Sequence, residues 1–189
     1  MKPILFNTDM VRAILEGRKT VTRRVVKPQP AGDGSKPEPL AKRPGYWNAW
    51  GDDYVYRQPH HPGDILYVRE TWNKAPFRYD EFIYKADGCY GPDMPWRPSI
   101  HMPREAARIF LRVTDVRVER LQEMTIEDSL REGVKLSIKG CIAGESPLTP
   151  FALVWDSTIK KADRPLCGWE ANPWVWVITF ERISKEEAG

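Results

Sequence analysis

ARIFLRVTDVRVERL, residues 107–121, is the stretch on which the fold turns. Ile109, Leu111 and Val113 fall at every second position, and Val116 and Val118 resume the alternation after a slip of one residue. A period of two means a strand with one buried face. The slip at Thr114-Asp115 reads as a bulge, one extra residue that keeps both halves facing the same way.

Working outward, the flanks read as short elements. His61-Pro62-Gly63-Asp64 is a turn, and residues 65–70 form a strand that Thr71-Trp72 extends. Downstream, Thr125-Ile126-Glu127-Asp128 resembles a capping box with Asp in place of Glu or Gln. The helix it opens runs to Glu132, and Gly133 ends it. After a Gly/Ser-rich segment, Thr149-Pro150 starts a helix reaching about residue 161, with Phe151, Val154 and Trp155 as its apolar stripe. Residues 174–181 read as a last strand. At the other end, residues 3–6 form a strand. Thr8 caps a helix over residues 8–16, and Gly17 ends it, where a left-handed backbone suits glycine. Residues 20–26 are a β-branched strand stopped by Lys27-Pro28-Gln29-Pro30.

Two regions resist this reading. Residues 28–63 are rich in Pro and Gly, with aromatic islands at Tyr46-Trp47, Trp50 and Tyr54-Val55-Tyr56. A structureless loop of that length is uncommon, so the islands predict partial packing, as a hairpin over a pocket. Residues 73–104 are also loop-rich, with one short strand at 82–84. The order of elements predicts an α+β fold, a small mixed β-barrel flanked by helices with a long irregular insertion. Regular βα alternation and glycine-rich nucleotide motifs are missing, which argues against a doubly wound sheet.

Length and composition are consistent with one domain over residues 1–189. Hydrophobic residues make up 41% and charged residues 29%. The net charge is only +3, so any nucleic-acid footprint must come from local clustering. Cys89, Cys141 and Cys167 form no C-x-x-C pair, which predicts neither a zinc ribbon nor a disulfide framework but a reduced, cytoplasmic protein. Asn7, Thr8 and Asp9 interrupt any leader-like apolar run, and no stretch approaches the roughly 20 apolar residues of a membrane span.

The densest chemistry lies at Gly17-Arg18-Lys19-Thr20-Val21-Thr22-Arg23-Arg24. Five basic residues and no acidic one fall between Arg18 and Lys27. Cations with interleaved hydroxyls at a helix–strand junction suit an anionic or polar ligand, or a lysine that activates a hydroxyl. They equally suit a solvated basic strand.

Four blocks, LEGRKTVTRR, PGDILYVRETW, RIFLRVTDVRVERL with TIEDSLREG, and WEANPWVWVITFE, resemble in this order an ASCH-domain protein, in the larger version found in phages and prophages. The resemblance implies a PUA-like β-barrel and a nucleoside or nucleic acid as ligand. Small bacterial members hydrolyse the amide of N4-acetylcytidine with a lysine and threonine of a G-x-K-x-x-T motif and a glutamate closing a helix. Those fall here on Lys19, Thr22 and Glu132. The insertion at 28–62 and the region 96–104 have no counterpart in the small members.

Amide hydrolysis needs a nucleophile, a base and a donor for the developing oxyanion. Thr22 supplies a hydroxyl; Lys19 is the base if burial or Arg18, Arg23 and Arg24 lower its proton affinity; Glu132 holds the lysine or shuttles the proton. In a regular strand Lys19 and Thr22 face opposite sides, so the site requires Lys19 in the turn before the strand. Arg24 shares Thr22's parity and is a clamp for a carbonyl or phosphate, while Arg23 faces the other side or solvent. Arg18, Arg23, Arg69, Glu70, Trp72, His101 and Arg104 are further ligand candidates. Glu70 is a structural ion-pair partner or an acceptor for a cytosine amine; Trp72 is a core residue or a stacking platform; His101 is structural or titrating. His60 and His61 lack a third ligand at metal spacing, and neither metal nor cofactor is expected.

The leading expectation is therefore an amidohydrolase acting on a modified pyrimidine nucleoside. A binding module for RNA, or less readily DNA, using the same cleft is the alternative. Ribonuclease action with Lys19 as base, assisted by His101, comes third. A monomer that does not engage membranes is expected.

Overall fold

The computed structural model describes residues 1–30, 34–49, 51, 53–76, 78–91, 93–135 and 146–189, with the backbone alone for 78–80. Trp50, Cys141 and most of the Gly/Ser-rich segment after Gly133 lie outside the described residues. The order is β1 (Lys2–Leu5), α1 (Thr8–Leu15), β2 (Val21–Val25), β3 (Glu38–Pro39), β4 (Tyr46–Asn48), β5 (Val55–Arg57), β6 (Ile65–Arg69), β7 (Trp72–Ala75), β8 (Arg78–Tyr84), β9 (Phe110–Arg120), α2 (Ile126–Arg131), α3 (Thr149–Thr158), α4 (Arg164–Cys167), β10 (Trp174–Ile183) and α5 (Lys185–Ala188). The fold is mixed α+β. No helix among the described residues is long and apolar enough to cross a membrane.

The main sheet runs β1-β6-β9-β10-β2, with β1 parallel to β6. The bulge falls where the sequence places it. Thr179 pairs with Asp115 but Phe180 pairs with Val113, so Thr114 is the extra residue. The extra residue restores the parity, and Leu111, Val113, Val116 and Val118 all join one core with Ile4, Leu66, Val68, Trp176, Ile178 and Phe180. The opposite face is covered in two patches. Phe151 and Trp155 of α3 pack with Val21, Val175 and Val177. Trp72, Met102 and Phe110 pack with Tyr67 and Ile183.

The expected closed barrel is not formed by any sheet of the described residues: β1 and β2 are both edges and share no ladder. The sheet nevertheless curls until those edges come within one side chain of each other, because the Arg24 guanidinium on β2 donates to the Leu5 carbonyl on β1 at 2.9 Å. The last joint is made by one side chain on a backbone carbonyl instead of by a backbone ladder.

The insertion is more ordered than a loop. β3, β4 and β5 form an antiparallel sheet, and Trp47 and Tyr56 reach the main core. Trp47 meets Trp176 edge-on at 5.4 Å, and its indole N–H donates to Gln58 at 2.9 Å. Residues 73–104 carry the β7–β8 hairpin and turns. The capping box at Thr125 and Asp128 is present in both directions. At α1 the cap is Asn7, not Thr8: its side chain accepts from the Met10 N–H, one residue earlier than expected.

Candidate functional site

The site begins with a turn. Gly17 adopts φ +74, and the Arg18 and Lys19 amides both donate to the Ala13 carbonyl, which swings residues 18–20 off the end of α1 before β2 begins. Lys19 thus lies in the turn, as the proposed chemistry demands. Just before β2, the Thr20 carbonyl accepts from the Phe180 amide on β10. Carbonyls alternate along a strand, so the Val21 carbonyl points the other way, off the unpaired edge of β2. Lys19 Nζ donates to that carbonyl at 2.8 Å.

The same nitrogen donates to the Glu132 carbonyl at 3.0 Å and to Glu132 Oε2 at 2.5 Å. Its N–H groups are therefore all engaged, by one acceptor on β2 and two at the end of α2. Lys19 is 2% exposed and Glu132 7%. The Phe6 ring lies beneath this nitrogen, 5.5 Å from its centroid, and beneath the Arg24 guanidinium at 5.3 Å. Burial pulls the Lys19 proton affinity below the usual lysine value; Glu132 pushes it back up, while Arg24 and Arg23 add to the depression.

α2 delivers Glu132 because Gly133 lets the chain pass close. At φ +87, a Cβ built on Gly133 would lie 2.6 Å from the Ala13 Cβ and 3.1 Å from the Lys19 Cβ. Thr22 pairs with Ile178 and Arg24 with Trp176, so both side chains share the face of the main core. Thr22 is 1% exposed, and among the described residues nothing hydrogen-bonds its hydroxyl.

Arg23 has the opposite parity and a different task from the ligand contact expected of it. It is fully buried beneath α2. Its Nε and Nη2 hold Glu119 Oε1 at 3.2 and 2.6 Å, Nη1 holds Glu132 Oε1 at 3.3 Å, and Nη2 lies 3.5 Å from Asp128. Its guanidinium is consumed by three carboxylates. Phe6, Glu119 and Asp128 were not candidates from sequence; only the polar phase of Arg117 and Glu119 against Val116 and Val118 hinted that this face of β9 carries charge.

The remaining candidates lie elsewhere. Glu70 takes a two-pronged contact from Arg108, at 2.9 and 3.0 Å, and its carboxyl is pushed up by burial against the pull of Arg108. It is thus a structural partner and not a free acceptor. Trp72 is 4% exposed in the core against Phe82 and is no stacking platform. Arg69 donates to the Ile100 carbonyl, His101 is exposed in a helical turn, and Arg104 lies near Met1. None of these five contacts Lys19 or Glu132. Arg18 is closer: it donates to the Gly133 carbonyl at 2.7 Å and pairs with Glu16.

A cavity of about 440 Å³ abuts this arrangement, between α1, the end of α2 and α3. Arg18 and Glu132 line it, with Met10, Val134 and Phe151 as apolar wall. Among the described residues no cluster of His, Cys, Asp or Glu has the grouping of a metal site. Compared with protein-family models, curated proteins and solved structures, the chain matches none.

Proposed function

We propose that this protein is an ASCH-type hydrolase that cleaves the acyl amide of a modified pyrimidine nucleoside such as N4-acetylcytidine, with Lys19, Thr22 and Glu132 as its reacting set. The observation that carries this reading is the Lys19–Glu132 contact at 2.5 Å, made by a lysine that precedes β2 while Thr22 lies within it. In this mechanism the Thr22 hydroxyl attacks the acyl carbon as its proton passes to Lys19. The exocyclic amine leaves with a proton returned from Lys19, and water then hydrolyses the acyl ester on Thr22. Arg24, on the Thr22 face, is the donor for the oxyanion. Lys19 acts as a base only when neutral, which its desolvation favours. A closed barrel is no part of this reading.

Incubation of the purified protein with N4-acetylcytidine, followed by chromatography, is expected to yield cytidine and acetate. Thr22→Val keeps the shape and removes the hydroxyl; it is expected to lower kcat/KM by at least about 100-fold, on the order of a lost nucleophile or catalytic contact, with an unchanged unfolding midpoint. Undiminished turnover in that variant would sink the proposed nucleophile.

The near-complete burial of Lys19 and Thr22 favours one second reading, a binding module for RNA more than DNA. It predicts no turnover, salt-sensitive RNA binding, and a salt slope that falls by about one for each lost phosphate contact in variants such as Arg18→Ala.

A further inference from the structure

Arg23, Glu119 and Arg117 occupy one face of the main sheet. Arg23 and Arg117 both pair with Val177, from opposite sides of β10, and Glu119 is two residues along β9. Above them α2 lowers Asp128 and Glu132. The result is a continuous chain of charge. Arg117 holds Glu119 Oε2 at 3.2 Å, Glu119 Oε1 holds Arg23, Arg23 holds Glu132 Oε1, and Glu132 Oε2 holds Lys19. The two oxygens of Glu132 are thus divided between two buried cations. A carboxylate whose charge is shared in this way pulls less strongly on either one.

We infer that Arg23 is a positioning residue which, by holding Glu132, sets how readily Lys19 releases its proton. The inference deepens the hydrolytic reading and depends on it only for the activity measurement. The charged groups around the pair come from every adjoining element: Arg23 and Arg24 from β2, Asp128 from α2, Arg117 and Glu119 from β9, and Arg18 from the turn. Two effects of Arg23 act in one direction. It occupies Glu132 Oε1, and its own positive charge opposes that on Lys19. Removing it leaves the Glu132 charge to Lys19 alone and raises the lysine's proton affinity. A lysine in its place retains the charge but is a single point, unable to fork between Glu119 and Glu132.

The test is a titration of the Lys19 ε-carbon by NMR in the full chain carrying labelled lysine, the signal assigned by its loss in Lys19→Met. Wild type, Arg23→Gln and Arg23→Lys are compared, alongside the pH profile of kcat/KM on N4-acetylcytidine. Arg23→Gln is expected to raise the Lys19 midpoint by about one pH unit, and Arg23→Lys by less, with the acidic limb of the profile moving the same way. A merely structural arginine would lower stability and leave the midpoint in place. An unmoved or lowered midpoint in either folded variant overturns the inference; if Arg23→Gln fails to fold, Arg23→Lys decides. A wild-type midpoint at or above those of the surface lysines also overturns it. Midpoints that move as expected in a protein without turnover uphold Arg23's role and sink the hydrolytic reading. Turnover with unmoved midpoints does the reverse.

Discussion

Lys19 presents a conflict between burial and satisfaction. Its side chain is fully buried, which opposes the charge, yet three acceptors surround its nitrogen, which favours keeping every proton. Truncating one partner of such a pair is more damaging than never having buried it. Lys19→Met is expected to destabilise by about 3 kcal/mol at pH 7, because Glu132 and two carbonyls lose their donor. The pH dependence has a definite sign. Because the folded value is depressed below the ordinary 10.5, the unfolded chain binds more protons in the window between the two, and stability rises with pH there. The gap in urea stability between wild type and Lys19→Met is expected to widen as pH climbs through that window and to stay flat below it. A gap that narrows would show that the folded value is raised.

At the level of elements, much was legible because period and punctuation agreed. The slip at Thr114 and the box at Thr125 each have a local cause, and both occur where the sequence puts them. Pairing across the sheet was not legible. Nothing local says that β1 and β2, separated by one helix, become opposite edges of a five-stranded sheet, or that Arg23 finds Glu119, 96 residues away. Lys19 and Thr22 could be nominated from a motif, but the reason Glu132 reaches Lys19 lies in a close approach by Gly133 that sequence spacing does not encode. Gly133→Ala tests it. The added methyl meets Ala13 and Lys19 at a φ of +87, where non-glycine residues are strained. A loss of about 2–4 kcal/mol in urea denaturation is expected from strain and overpacking together. An unchanged midpoint would mean that α2 and the turn are not held as described.

Across the whole molecule, the insertion is part of the core. Composition marked residues 28–63 as irregular, since β3, β4 and β5 are only two or three residues long and too short to show a period. The aromatic islands were the truer signal: Trp47 and Tyr56 fill the space beside Trp176 that the curled sheet leaves open. Trp47→Ala is expected to cost about 3–5 kcal/mol, as for other large core truncations, and to leave Gln58 Oε1 without its indole donor. If thermal unfolding of that variant matches wild type, the insertion is an ornament and the core closes without it.

The joint between β1 and β2 has a further consequence for how buried groups are reached. In a closed barrel, exposing an interior hydroxyl means rupturing a ladder of backbone hydrogen bonds that gives way only cooperatively. Here the two edges are joined by the Arg24 side chain on the Leu5 carbonyl, spanning 19 residues of chain. Breaking that joint would leave every strand pairing of the sheet intact. The cost of parting the edges there is that of one side-chain contact and not the cooperative rupture of a ladder.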